Sequence, residues 1–400
     1  MLTHALRRVP YYREIGQQLR LSPGDFRSAE DLWKLPILSR EAVRQNFSKL
    51  VSDGVNPRRL WLGHTSGTTG APLQFYWDKS VVVMNNVVLW RHRHSAGFTI
   101  GDPFLKLTGN VVVPLSQRTP PYWRFNRALN QLFLSAFHLS EEALPHYVGA
   151  IRQFQPRFMD AYPSTAYILA RYLLGRNETI PLQGVFTSSE TLFPIQREVI
   201  EQAFGCRVFD YYGLAERTVF ATECEKHTGH HINLDYGILE LINQNGSIRN
   251  AGHAGRIVAT GLHNWAMPLI RYETSDITAL SPTACSCGRS FPLMDAVTTK
   301  AEDIVVTPDG RHISPSVLTH PFKPMHHIRE SQIIQVDPER IVVKIVRRRG
   351  YTDDDTRQLL AGLRERLGEN MHVTPEFVSE IPREPSGKFR WVISRVPLGF

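Results

Sequence analysis

The chain has 400 residues, 42% of them apolar and 21% charged, too long for one ordinary core and too apolar for a disordered or fibrous protein, so two or more folded domains are expected. The formal net charge is +8, but the basic residues are dispersed, and the one basic triplet, Arg347-Arg348-Arg349, closes an alternating strand-like run from Arg340 to Val346, which argues against a nucleic-acid stripe. No stretch approaches the eighteen or so apolar residues of a membrane span, and Met1 to Arg8 lacks the apolar run of a secretory signal, so a cytoplasmic protein without a membrane span is expected.

Residues 1–60 read as a polar helical lead-in, within which Ser39 is placed as a helix N-cap. Next comes Thr65-Ser66-Gly67-Thr68-Thr69-Gly70-Ala71-Pro72. Glycines let the backbone approach an anion, while hydroxyls and free N–H groups supply donors without bulk, so this loop is suited to the phosphates of a nucleotide. Neither a Walker signature nor a Gly-x-Gly-x-x-Gly turn occurs, which steers the reading away from P-loop NTPases and Rossmann oxidoreductases. From there to about residue 280, apolar runs such as 184–187 and 207–212 alternate with amphipathic stretches such as 195–204, the pattern of α/β layers. Beyond about residue 300 the texture changes. Residues 333–346 alternate with period two, Leu359, Leu360, Leu363 and Leu367 form a helical stripe, and residues 372–381 suggest another strand, predicting a small α+β domain. With no repeat or low-complexity linker, the boundary is drawn where the pattern changes, giving domains of 1–299 and 300–400.

Two acidic blocks carry the chemistry. In Asp210-Tyr211-Tyr212-Gly213-Leu214-Ala215-Glu216, an aromatic ring before a glycine can pack on a purine, and the carboxylate of Glu216, four residues after Tyr212, can reach a phosphate-bound Mg²⁺. In Pro268-Leu269-Ile270-Arg271-Tyr272-Glu273-Thr274-Ser275-Asp276, Asp276 stands at the end of an expected strand, where its carboxylate can accept both ribose hydroxyls.

Taken in order, these segments resemble the adenylate-forming (AMP-forming) ligase superfamily, most closely its phenylacetate–CoA ligase-like and capsular-polysaccharide-biosynthesis ligase-like branch. The phosphate loop matches Ser-Gly-Thr-Thr-Gly-x-Pro, the second block Tyr-Gly-x-[Thr/Ser]-Glu with Ala215 replacing the hydroxyl residue, and the third Tyr-x-[Thr/Ser]-Gly-Asp with Ser275 replacing glycine. The resemblance implies a large multi-layer α/β N-terminal domain with a small mobile α+β C-terminal domain. It implies that Thr65, Ser66, Gly67, Thr68, Thr69 and Gly70 hold ATP phosphates with Mg²⁺, and that Tyr211, Tyr212, Gly213, Glu216 and Asp276 surround the nucleotide. Ser189 and Glu190 are implied to line the adenine pocket, although three polar residues after a strand also suit a helix cap. Lys388, in Pro385-Ser386-Gly387-Lys388, is implied as the mobile catalytic lysine of adenylation. Lys300 stands where the family has arginine, with Glu302 as the pivot. The implied reaction activates a carboxylic acid as an acyl-adenylate and passes it to CoA or an amine, with a homodimer admitted. Adenylyl transfer to a small molecule and a non-catalytic nucleotide-binding scaffold are the alternatives.

The chain has four cysteines. With no secretory signal a disulfide framework is not expected. Cys224 precedes His227, His230 and His231, and Cys285-Ser286-Cys287-Gly288-Arg289 follows much later. Cys224, Cys285 and Cys287 with His231, which leads straight into a strand-like run, form a candidate tetrahedral Zn²⁺ site; reduced surface thiols are the plainer reading. Cys206 is expected to be buried and uninvolved.

Overall fold

The computed structural model describes the chain apart from residues 65–72, 115, 116, 118, 140, 141, 244, 245, 249–251, 298, 301–304, 309–311, 314–317, 319, 323, 326, 383–389 and 397–400. The chain forms two compact units, one of Met1–Gly97 with Tyr211–Ala296, the other of Phe98–Asp210 with Val297–Phe400. No helix among the described residues is long and apolar enough to cross a membrane.

In the first unit the lead-in is helical as expected. Helices Leu2–Arg8 and Pro10–Leu19 precede a short helix Arg40–Gln45, whose first turn is capped by Ser39 Oγ accepting from Ala42 N at 3.1 Å. Their apolar faces close a core of Leu32, Leu35, Leu38, Val43, Phe75, Met267, Leu269, Ile270 and Tyr272. Tyr12, buried in that core, donates its hydroxyl to Pro268 O at 3.1 Å and accepts from Ile270 N at 2.9 Å, so a polar group inside an apolar cluster is fully used. Strands Trp61–His64 and Gln74–Trp77 form an antiparallel hairpin, with His64 opposite Gln74. A Cβ on Gly63 would collide with the Phe75 ring and lie 2.7 Å from that of Trp77, so only glycine lets these aromatic residues cross the hairpin. The unit contains two further antiparallel arrays. One pairs Gly237–Asn243 with Ala254–Gly261 and that strand with Tyr272–Ala279. The other pairs Tyr211 to Gly213 with Phe220–Glu223, then His230–Ile232 and Leu293–Met294.

The second unit holds the parallel sheet. Gln131–Leu134, Phe104–Leu107, Phe158–Ala161, Gly184–Thr187 and the first half of Arg207–Gly213 pair in that order, with Trp123–Asn126 antiparallel on the edge. Phe158–Ala161 and Gly184–Thr187 are buried at every position, as a sheet covered on both faces requires, and apart from Asp160 and Thr187 they do not alternate with polar residues. Helices Leu144–Phe154, Pro163–Leu174 and Pro194–Phe204 contribute Ile151, Leu169, Leu173, Ile200 and Phe204 to the core.

The C-terminal module of this unit has its own core. Strands Ile328–Asp337 and Arg340–Arg347 form an antiparallel hairpin, flanked in parallel by Val392–Ser394 and His372–Phe377. The expected run 333–346 is therefore two strands, not one: Pro338, with no N–H to give and a fixed φ, stands at the reversal. Helix Asp353–Leu367 begins with a reciprocal Thr352–Asp355 cap and buries Leu359, Leu363 and Leu367, each worth about 1.5–3 kcal/mol.

Candidate active site and metal centre

The loop 65–72 and Lys388 lie outside the described residues, as do the side chain of Lys300 and all of Glu302; on either side of that loop the hairpin sets His64 opposite Gln74. Within the first unit the two acidic blocks meet. Tyr212 of the second block donates its hydroxyl to Asp276 Oδ2 at 2.6 Å, and Tyr272 of the third donates to Glu216 Oε1 at 2.6 Å. Each block supplies the tyrosine that fixes the other's carboxylate. Burial, and then the neighbouring carboxylates, push both phenols well above their ordinary pKa, so both remain donors at neutral pH.

Asp276 lies in the middle of strand Tyr272–Ala279 rather than at its end. The register shifts between Arg256 and Val258, where Ile277 and Glu273 are the respective partners. In this bulge Thr274 Oγ1 donates to Ile257 O at 3.0 Å and accepts from Asp276 N at 3.1 Å. Bulges re-aim a side chain at the expense of ladder pairing, and here the carboxylate is turned inward to 4% exposure. Its Oδ1 is buried without a hydrogen-bond partner among the described residues. A buried carboxylate oxygen in that condition is an acceptor awaiting a donor, which fits a ribose hydroxyl. The expectation that Asp276 holds both hydroxyls must allow for Oδ2 already accepting from Tyr212.

Glu216, 4% exposed, follows strand Arg207–Gly213 on a turn in which Arg217 N donates to Leu214 O and Arg217 adopts φ 56°. Trp77 braces the turn. Its indole N–H donates to Ala215 O at 3.1 Å, and the Arg217 guanidinium lies 4.0 Å from the ring centroid. Arg40 Nη1 lies 3.9 Å from Glu216 Oε1. A buried carboxylate held in place by a neutral donor is chemically suited to Mg²⁺, a binding that the nearby guanidinium opposes. Tyr211 stacks on Phe220 at 5.4 Å and meets His92 edge-on at 5.6 Å, while Gly213 is exposed.

Ser189 and Glu190 belong to the second unit. Ser189 adopts φ 71°, a left-handed conformation that strains a non-glycine residue. Glu190 accepts from Ser164 N at 3.0 Å and Ser164 Oγ at 3.1 Å, so it supplies the N-terminal cap of helix Pro163–Leu174, an upstream helix rather than the one that follows it.

Cys224, His231, Cys285 and Cys287 come together in the first unit with their ligand atoms all within 4.8 Å of one another. Cys224 Sγ lies 3.6 Å from Cys285 Sγ, and His231 Nε2 lies 3.3 Å from Cys287 Sγ. Tetrahedral zinc with Zn–S near 2.3 Å separates neighbouring sulfurs by about 3.8 Å, so the donor set and spacing fit. Phe291 O accepts from His231 Nδ1 at 3.1 Å, which leaves Nε2 as the lone-pair nitrogen facing the thiols. Lys226 N and Arg289 N donate to Cys224 Sγ and Cys287 Sγ at 3.4 and 3.5 Å. Burial pushes the Cys224 thiol up to about 12; burial also opposes ionisation at Cys285, but donation from Thr228 and Cys287 outweighs it and brings that thiol down to about 7. Cys206 is half-buried, short of the full burial expected for it.

The sequence reading missed Arg40, Trp77 and the donor role of Tyr272. Only Tyr272 carried a signal, its position inside the third block.

Comparison with known proteins supplies the context. Residues 305–395 match the CapK C-terminal domain family. Protein CapK of Staphylococcus aureus is 27% identical over 391 residues, covering 96% of this chain and 85% of that protein. Phenylacetate-coenzyme A ligase of Escherichia coli K12 is 27% identical over 369 residues, covering 88% of this chain and 78% of the relative. Among solved structures, 2-hydroxyisobutyryl-CoA ligase in the postadenylation state with an acyl-AMP superposes with TM-score 0.76 at 19% identity, covering 98% of this chain and 86% of that one. An anthranilate CoA ligase in complex with anthranoyl-AMP gives TM-score 0.57 at 15% identity, covering 84% and 67%.

Proposed function

We propose, for a chain related along most of its length to CapK and the phenylacetate–CoA ligases and built on the adenylate-forming ligase fold, that it activates a carboxylic acid with ATP and transfers the acyl group to CoA. The observation that carries this reading is the reciprocal bracing of the two acidic blocks, which holds two buried carboxylates in fixed orientation and leaves Asp276 Oδ1 open to a ribose hydroxyl.

In the first step a carboxylate oxygen attacks the α-phosphorus and pyrophosphate leaves, giving an acyl-adenylate; in the second the thiol sulfur attacks the acyl carbon, its proton is lost and AMP leaves. Both steps depend on positioning and electrostatics rather than on a protein nucleophile. Residues Thr65 to Gly70 hold the phosphates, Asp276 orients the ribose, and Tyr211, Tyr212 and Gly213 shape the nucleoside end. Glu216 would hold Mg²⁺, which supplies charge neutralisation on the phosphate oxygens. Lys388, and Lys300 near the hinge, arrive with a mobile small domain of residues 300–400, a reading supported by the CapK C-terminal domain match at 305–395. Cys224, His231, Cys285 and Cys287 hold a structural zinc, since four protein ligands leave no open position.

The test is pyrophosphate release across aryl, fatty and amino acids with CoA or hydroxylamine as acceptor. At least one acid should give release and a CoA thioester, and Lys388→Ala should slow it by about 10²-fold or more while ATP still binds. Release trapped only by amines would move the acceptor from thiol to amine; no release with any acid would end the ligase reading.

A further inference from the structure

Helix Pro163–Leu174 carries two apolar faces. Ala166, Leu169, Ala170 and Leu173 are fully buried in the core of the parallel sheet, as one face of a helix packed on a sheet must be. Tyr167, Ile168, Arg171 and Tyr172, spaced at three and four residues on another face, are only half-buried. They line a cavity of about 490 Å³, within the range of about 300–1,000 Å³ typical of small-molecule sites. Its further walls come from the start of helix Pro194–Phe204 and from the C-terminal module, so the cavity lies wholly within the second unit. None of its lining residues belongs to the acidic blocks or the cysteine corner.

The apolar part of this cavity is preset. Trp391 donates its indole N–H to Ser331 Oγ at 3.2 Å, and its ring meets those of Phe193 and Phe322 edge-on, each at 5.4 Å. With its one polar group engaged, the indole offers the cavity hydrocarbon surface.

The charges favour an anion. Arg171, Arg329 and Arg348 line the cavity against Glu330 and Glu380, a formal excess of one positive charge. Among the described residues the guanidiniums of Arg171 and Arg329 make no ion pair; each has one hydrogen bond, to Ile328 O at 3.3 Å and to Ser379 O at 2.8 Å. Exposed arginines of the same unit do find carboxylates, as Arg152 finds Glu178 at 2.7 Å. A half-buried guanidinium carries five donors in a fork that a carboxylate matches.

We propose that this cavity binds an amphiphile with one anionic head, a fatty-acid-like monocarboxylate, at a site apart from the nucleotide. The carboxylate pairs with Arg171, and the chain lies among Ile168, Phe193, Phe322 and Trp391. Because the walls come from both the helix face and the C-terminal module, the ligand bridges the two.

The test is isothermal titration calorimetry of the full chain with octanoate. Octanoate should bind at one site per chain, and 1-octanol at least about ten-fold more weakly, the effect of losing a charge-assisted hydrogen bond. Arg171→Gln should weaken octanoate by about the same factor and leave octanol unchanged, while Ile168→Trp, which fills the cavity, should abolish the binding of both. If the tryptophan variant does not fold, the glutamine variant decides alone. An unreactive acetyl-adenylate analogue at saturation should leave octanoate bound. Equal affinity for octanoate and octanol, or undiminished octanoate binding in Arg171→Gln, would overturn the anionic head. No saturable octanoate binding, or its displacement by the analogue, would overturn the site itself.

Discussion

Two polar clusters of the first unit each draw side chains from segments far apart in sequence, and they satisfy their polar groups in opposite ways. At the acidic blocks every close contact joins unlike groups, phenol to carboxylate or guanidinium to carboxylate, so the cluster stands without a ligand and retains one open acceptor on Asp276. At the cysteine corner three thiols and an imidazole face one another. Those are all donor atoms for a cation, and nothing in the set neutralises more than one thiolate. A cluster that satisfies itself can bind and release a substrate; one that needs a cation to be satisfied is suited to structure.

The contrast is broken most severely at the corner. Purified protein should carry one zinc per chain, and Cys285→Ser, or chelation, should lower the melting temperature by on the order of 5–10 °C and expose residues 281–291 to protease, because structural zinc contributes its binding energy directly to folding. The same treatment should leave a nucleotide analogue bound at low temperature. Substoichiometric zinc with unchanged melting would make the corner a group of reduced thiols.

A smaller effect comes from His92, 3% exposed, beside Glu223 and His230. Burial holds its pKa down at about 3 against an ordinary 6.5. The folded state therefore favours the neutral ring, a contribution present in full above pH 6.5 and lost as pH falls from 6.5 towards 3, because the unfolded chain takes up the proton first. By pH 4 the loss is on the order of 3 kcal/mol. Denaturant melts of the unmodified chain and His92→Leu, compared from pH 7 to pH 4.5, should show the flatter slope in the variant even if it starts less stable. Parallel slopes would remove His92 as a source of acid lability.

How much of this was legible depended on whether the cause was local. Strand 184–187, helix 195–204 and the Ser39 cap follow from apolar period and a side-chain acceptor at the right offset, and the structure has Gly184–Thr187, Pro194–Phe204 and a Ser39 to Ala42 bond. His231 could be picked from three histidines because it leads directly into a strand-like run, and it is the one that joins the thiols. What escaped was set by pairing between distant strands. The inward turn of Asp276 needs the bulge opposite Ile257, and no pattern within residues 268–276 announces it. Glu190 caps a helix that begins well upstream, a partnership that only the parallel order of the sheet creates. Arg40 meets Glu216 because Leu38 bonds beside Tyr272, a match made in space between the chain's lead-in and its third block.

The finest test of the contrast asks whether the two tyrosines are equivalent. Each removes one charge-assisted hydrogen bond when changed to Phe, about 1.5–3 kcal/mol if the carboxylate finds no other donor. They should differ in what replaces the bond. In Tyr272→Phe, Glu216 retains Arg40 nearby, so stability should fall by the smaller amount and the change should appear in the Mg²⁺ concentration needed for half-maximal pyrophosphate release. In Tyr212→Phe, Asp276 loses the donor on Oδ2 while Oδ1 has none among the described residues, so the free protein should lose more stability and recover part of it when ATP brings its ribose hydroxyls. Melting each variant with and without a non-hydrolysable ATP analogue separates the cases: an equal nucleotide-induced shift in both would show that Asp276 is not the carboxylate the ribose meets.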